Sequence, residues 1–378
     1  MILIGADFVP TKSNIQLFNN GEAESLVGIE LLKVLNSADY RIFNLEVPLT
    51  DIDTPIDKCG PNLIAPTSTI NGYKSVGVDF VTLANNHILD QGEQGLKSTC
   101  GLLRKNNIAY CGVGDNLSLA KAPHVFELNG KKISIYACAE HEFSIATDSS
   151  IGANPFDPLE SFGHVSSLKQ ETDYVIVLYH GGKEHYRYPS PNLQRVCRKF
   201  VKSGADLVVC QHSHCIGCEE KYLSGTIVYG QGNFLFDDSE SEFWQTSILI
   251  NIDDDFKISY IPIKKKNETV RIANENDARD ILDSFTQRSE EIKRKGFVEE
   301  RYSEFAYSML DGYLLGLSGC GKSIVFRILN KLTGRRYGNW RLKRKFRKKQ
   351  LLVAQNILEC EAHRELLSQG IIDRVKKF

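Results

Sequence analysis

The stretch ADLVVCQHSH, residues 205–214, is a short apolar run that ends in two histidines. A brief Leu/Val run bounded by polar residues is how a buried strand of a parallel sheet is written. The carboxyl end of such a strand is where open α/β sheets gather their ligands. Four earlier runs close in the same way: MILIGAD (1–7), YRIFNLE (40–46), VDFVTLANNH (78–87) and YVIVLYH (174–180). They finish on Asp7, Glu46, Asn86 with His87, and His180, while the first-quoted run delivers His212 and His214. One such run carries little weight, since a His after a strand is more often a satisfied loop or core residue. Five in register direct carboxylate, amide and imidazole donors to a single rim.

The chain has 378 residues, long enough for one large core plus an appendage or for two ordinary domains. Apolar residues make up 42% and charged residues 25%, which excludes a disordered chain, and a net charge of -1 gives no global pull toward polyanions. Met1 opens directly onto the strand-like Ile2 to Ala6, with no basic segment, apolar core or cleavage site of a leader. No stretch approaches the length of a membrane span. The ten Cys are scattered through strand-like and helix-like runs, as reduced buried thiols are, so the expected compartment is the cytoplasm.

Residues 1–265 alternate strand runs with helical patterns such as SLVGIELLKVLNSA (25–38), QGLKSTCGLLRKNN (94–107) and PNLQRVCRKFVKSG (191–204), each closing near Gly or Asn. Further strands are expected at Lys131–Cys138, Thr226–Gly230, Ser247–Ile252 and Lys257–Pro262, the last two forming a hairpin around Asp253, Asp254 and Asp255. The predicted fold is α/β: two packed, mixed sheets flanked by helices. Residues 266–378 are charge-laced and without convincing strands, and are expected to form a separate, mostly helical and basic region.

Hard carboxylate oxygens combined with imidazole nitrogens and one amide oxygen suit Mn, Fe, Zn or Co better than Ca or a thiolate site. His212 and His214 are the sharpest element, because residues i and i+2 of an extended backbone point to the same side. His180 enters a glycine pair, HGGKEH (180–185), where the backbone can approach an ion or substrate. Asp90 lies three residues beyond His87, placed to fix its tautomer by accepting the second N–H. Taken singly, each position has a plainer reading: a turn for Asp7 or for Asn85 and Asn86, a surface ion pair for Glu46.

The strings GVDFVTLANNHILDQGEQGL, FNLEVPLTD, HGGKE, GADLVVCQHSHC and IVYGQGNFLFD resemble the CapA family of bacterial capsule, or poly-γ-glutamate, synthesis proteins over roughly residues 1 to 240. That family is similar in fold to calcineurin-like metallophosphatases, two-sheet β-sandwiches flanked by helices. The resemblance implies Asp7, Glu46, Asn86, His180, His212 and His214 as ligands of two divalent ions (Mn, Fe or Zn). It implies His87 as the active-site imidazole, which Asp90 is placed to orient; Asn85, Glu184 and Asn233 are candidate substrate contacts, with Glu184 equally able to face solvent. Val9 stands where metallophosphatases place a His two residues after the first Asp, and Gly181 replaces an aromatic residue usual after the loop His.

Two further patterns compete for attention. GLSGCGKS (316–323) matches a phosphate-binding loop, with Lys322 and Ser323 in the phosphate and magnesium places, but YSMLDGYLL before it reads as helix rather than strand. From Lys331 to Lys349 ten Lys and Arg residues occur with no acid, interleaved with Trp340, Leu342 and Phe346. This suits a membrane-surface helix, a contact within a capsule-synthesis complex or an anionic-polymer groove, beside the plainer reading of a solvated helix face; it makes no strong case for nucleic acid. The expected function is a metal-dependent hydrolase, phosphoesterase in type, acting on an anionic polymer or phosphoester in capsule or cell-surface polymer synthesis, from the cytoplasm or peripheral to the inner membrane. The rival is a non-catalytic metal- or polyanion-binding component of a polymer synthesis complex.

Overall fold

Eight consecutive buried residues form the strand Ile2–Val9, and their neighbours on either side decide the architecture of the whole unit. In the computed structural model, which describes residues 1–237, 239–319 and 324–377, this strand lies at the centre of a mixed sheet. On one side it pairs in parallel with Tyr40–Asn44, followed by Phe80–Thr82 and Ala109–Cys111. On the other it pairs antiparallel with Thr246–Ile252, then Ile258–Lys266 and Thr269–Ile272. The second sheet has six strands in the order Glu219–Tyr222, Gly225–Val228, Leu207–Gln211, Tyr174–His180, Lys131–Ala139 and His124–Leu128, parallel through its centre and antiparallel at both edges.

Alternation along the strands explains how the sheets stack. Ile2, Ile4, Ile42 and Phe80 of the first sheet meet Ile135, Ile176, Leu207 and Val209 of the second in one buried layer. The alternate residues Val175, Val177, Tyr179 and Val208 face outward and pack under helix Pro191–Lys202 through Val196, Cys197 and Phe200. Strands covered on both faces have no polar alternation, which is why they read as unbroken apolar runs. Helix Pro191–Lys202 begins where the sequence directs: the Ser190 hydroxyl accepts the Leu193 N–H at 3.1 Å, and Pro191 occupies the first turn. This is the two-sheet sandwich with outer helices that the metallophosphatase likeness implies.

The hairpin around Asp253–Asp255 forms as expected, with Ile252 opposite Ile258. Strand structure does not stop there. Thr269–Ile272 adds an edge strand by turning back on Ile258–Lys266, with Asn267 in the left-handed region at φ 52°. Its four residues, TVRI, are too few for a period to be read from sequence. The chain divides into two compact units, Met1–Tyr302 and Ser303–Phe378, and helix Glu275–Glu291 belongs to the first, burying Ile281 and Phe285.

The described part of the second unit is helical, with helices Ile324–Leu332, Arg336–Lys345, Lys348–Glu359 and Glu361–Val375. The residues before the phosphate-loop pattern lie in helix Phe297–Leu317, so the strand that such a loop requires is not there; Lys322 and Ser323 lie outside the described residues. Among the described residues no helix is long and apolar enough to cross a membrane.

Phe8, next to Asp7, has ring centroids of Phe18, Phe43, Tyr73 and Phe234 at 5.0, 5.4, 4.9 and 5.0 Å, and it is fully buried. Phe8→Ala is expected to lower unfolding free energy by about 3–5 kcal/mol. Urea denaturation measures it; a loss under about 1 kcal/mol contradicts the packing described.

Candidate metal centre

Strand register brings the expected donors together. Asp7 pairs with Asn44 across the first sheet, and His180 is opposite Gln211 across the second, so the carboxyl ends of both sheets open at one place. Two ligand groups result, Glu46 with His180 and His212, and Asp7 with Glu46 and His214; within each, ligand atoms lie within 4.8 Å of one another. Glu46 belongs to both. Asp7 is 1% exposed and Glu46 0%, and among the described residues neither has a Lys or Arg partner.

In the first group three acceptor-capable atoms crowd one imidazole nitrogen. Asn86 Oδ1, His212 Nδ1 and Glu46 Oε1 lie 3.0, 3.1 and 3.2 Å from His180 Nε2. A single proton on that nitrogen can serve only one of them, and among the described residues the buried Glu46 Oε1 receives no well-directed hydrogen bond. A cation satisfies all the donors at once, and carboxylate, amide and imidazole groups fit a divalent transition ion. Asn86 presents its oxygen because its Nδ2 donates to Glu142 Oε2 at 3.2 Å. In the second group His214 Nδ1 lies 3.3 Å from Asp7 Oδ2 and 2.9 Å from Asn233 Oδ1.

Electrostatics follow from burial and mutual proximity. Burial, then the charge of Glu46, pushes the Asp7 carboxyl above its usual range. Burial acts the same way on Glu46, but the His180, His214 and His87 imidazoles outweigh it and hold this carboxylate well below. Burial keeps His212 well below its usual value and therefore neutral, with a lone pair to offer. For His214 burial is opposed by Asp7 and Glu46, which raise it to about 9.

The two histidines reach the site differently from the expectation of an extended backbone. Strand Leu207–Gln211 ends before them, and His212 and His214 both adopt left-handed conformations, φ 76° and 51°. Such residues cost on the order of 1–3 kcal/mol each and persist where their surroundings fix them. Gly230 is part of that fixing. At φ 115°, a Cβ there would lie 2.7 Å from both Ser213 Oγ and the Cys215 carbonyl, so only glycine admits the loop.

Beside this cluster stands His87. Its Nδ1 lies 2.6 Å from Asp90 Oδ2, and the fully buried Asp90 also accepts the Leu63 N–H at 2.6 Å. Lys58, its side chain 3% exposed, pairs with the other Asp90 oxygen and reaches within 3.3 Å of His87 Nδ1. Sequence reasoning missed Lys58. It also missed Asn44, whose Nδ2 donates to Asp7 Oδ1 at 2.6 Å and lies 3.5 Å from Glu46 Oε2. Trp244, too, was unforeseen: its ring packs tilted against His214, centroids 4.7 Å apart, and its indole N–H donates to His185 Nε2 at 2.8 Å. Only Asn44 left a signal, standing two residues before Glu46 in the run YRIFNLE, where an extended chain would put both on the same side.

The three expected substrate contacts fall in different places. Asn85 is wholly buried: its Nδ2 donates to Asn44 Oδ1 and the Leu45 carbonyl, and its Oδ1 accepts the His87 N–H, so it braces the site. Asn233 is buried against His214, and its Nδ2 has no partner among the described residues. Glu184 is exposed.

A two-sheet α/β unit thus carries paired carboxylate and imidazole clusters, candidate metal ligands, at its strand ends, and sequence comparison gives its family. The model of the family described as "Bacterial capsule synthesis protein PGA_cap" matches residues 7–238, and the chain belongs to that family. Its curated relatives include the capsule biosynthesis protein CapA of Bacillus anthracis, 30% identical over 212 residues (54% of this chain, 52% of the relative). The PGA biosynthesis protein CapA of Bacillus subtilis is 29% identical over 213 residues (54% and 55%). The chain thus spans about half the length of the curated relatives it matches. Among solved structures, a putative 5'-nucleotidase from Staphylococcus aureus matches with TM-score 0.43 at 13% identity, covering 76% of this chain and 58% of that one. The likeness is distant.

Divalent metal is expected to raise the thermal midpoint, by an amount equivalent to about 2.7 kcal/mol at a hundredfold excess over Kd. Differential scanning calorimetry with and without Mn tests this. The shift should vanish in Asp7→Ala and His212→Ala; an equal shift in all three proteins contradicts the ligand set.

Proposed function

We propose that the unit Met1–Tyr302 is a metal-dependent hydrolase of the phosphoester type, acting in biosynthesis of a capsule or cell-surface polymer, polysaccharide or poly-γ-glutamate. The observation that carries this reading is an oriented imidazole: His87 Nδ1 is held 2.6 Å from Asp90, one residue along from the amide whose oxygen lies 3.0 Å from His180. A scaffold that only binds metal has no use for that brace. Asp7, Glu46, Asn86, His180, His212 and His214 would hold two ions of the Mn, Fe or Zn kind, which supply Lewis-acid stabilisation of charge on a phosphoryl oxygen.

The chain's own groups do the rest. Asp90 accepts Nδ1–H and so leaves Nε2 as the working nitrogen of His87. With its side chain 13% exposed, that ring is open to a substrate while Asp90 behind it is sealed from water. In its protonated form Nε2–H donates to the leaving oxygen as charge develops there. Lys58 anchors the second Asp90 oxygen, which keeps the carboxylate from turning away from the imidazole. Asn44 holds the two carboxylates at their separation, and Asn85 holds Asn44.

Hydrolysis of a generic aryl phosphodiester with added Mn should be measurable and should fall by about 10²-fold or more in His87→Ala while metal stays bound. Bound metal with no turnover in the unaltered chain would support the non-catalytic rival instead.

For the second unit we propose peripheral attachment to an anionic lipid surface from the cytoplasmic side. Lys331 to Lys349 carries ten cations and no acid, and Leu332 and Trp340 beside them are 78% and 54% exposed. The nine cysteines described are all free, as suits a reducing compartment. The chain should sediment with anionic vesicles at low salt and be released at high salt; a chain that stays in solution at low salt contradicts this attachment.

A further inference from the structure

A cavity of about 710 Å³ runs along helix Pro191–Lys202, and none of the residues lining it belongs to the metal cluster. The helix turns Leu193, Val196, Cys197, Phe200 and Val201 into the core. Its outer edge carries Arg195, Lys199 and Lys202, at i, i+4 and i+7, a stripe spanning about 10 Å at the rise of an α-helix. A fourth cation, Arg198, is neutralised by Glu220, whose Oε1 accepts from Nε at 2.8 Å.

The other three are not neutralised. Among the described residues Arg195, Lys199 and Lys202 form no ion pair, the helix contains no acid, and Glu299 is the lining carboxylate. An ordinary solvated helix face intersperses both signs of charge; this one does not. The cations are also placed. Lys199 Nζ lies 5.8 Å from the Phe162 ring centroid and Lys202 Nζ 5.7 Å from that of Tyr222, so the rings hold the ammonium groups at the cavity wall.

We propose that this groove binds an acidic polymer with regularly spaced carboxylates, a glutamate-type chain, and so docks the substrate or product polymer on the hydrolase unit. The inference rests on the polymer-synthesis reading above. The groove's chemistry favours a carboxylate chain over nucleic acid, because the two aromatic faces are covered by ammonium groups and are not open for base stacking. Its concavity favours a chain over a flat bilayer. Three cations over about 10 Å of helix can each meet a carboxylate of one extended acidic chain.

Fluorescence anisotropy with labelled oligo-γ-glutamate and the full chain tests this. Arg195→Ala/Lys199→Ala/Lys202→Ala should weaken binding at least about tenfold and flatten its salt dependence. Aryl phosphodiester hydrolysis should stay at the level of the unaltered chain. Unchanged affinity in this variant, loss of binding in Lys343→Ala/Arg344→Ala/Lys345→Ala instead, or equally tight binding of an oligothymidylate of equal charge would each overturn the proposal. Oligomer binding in a chain without any hydrolysis would leave the groove standing and remove only the enzymatic reading.

Discussion

Asp7 and Glu46 are two carboxylates buried in one pocket, and the rest of the unit is arranged around the need to balance them. Two such charges cannot be buried side by side without positive charge or strong donors nearby. Three imidazoles surround them, Asn44 donates to one and lies near the other, and no Lys or Arg intrudes among the described residues. Several costly features become intelligible on this basis. The left-handed backbone at His212 and His214 and the glycine at 230 aim rings that a regular strand end would not.

A division of labour follows from where charge is placed. Among the described residues, lysine and arginine stay out of the pocket: one lysine stands behind the His87–Asp90 pair, and others lie along the outer edge of helix Pro191–Lys202. Lysine or arginine in the pocket would compete with a metal ion for the carboxylates, and the cations of the helix edge line a groove that shares no residue with the candidate ligands. The second unit carries its own, denser positive stretch beside exposed apolar residues, a combination that suits a lipid surface better than a polymer groove.

Much of this was legible in the sequence, for a definite reason. Parallel strands covered on both faces are written as unbroken apolar runs, so their ends, and the residues on them, can be located without knowing the pairing. That is how Asp7, Glu46, His180 and His212 were found. What failed to be legible lacked a period. Lys58 sits in an irregular segment 32 residues from Asp90, and nothing local distinguishes it from a surface lysine. The roles of Asn85 and Asn233 depended on which neighbour each amide faced, which only packing decides. Thr269–Ile272 was too short to show alternation, and the backbone reversal at His212 left no mark on residue types.

Anomalous diffraction from crystals grown with Mn tests the central claim most directly. The account predicts two peaks sharing Glu46, one also bounded by His180 and His212 and the other by Asp7 and His214. Absence of anomalous density between these side chains at saturating metal, with Asp7 and Glu46 still buried, would contradict it.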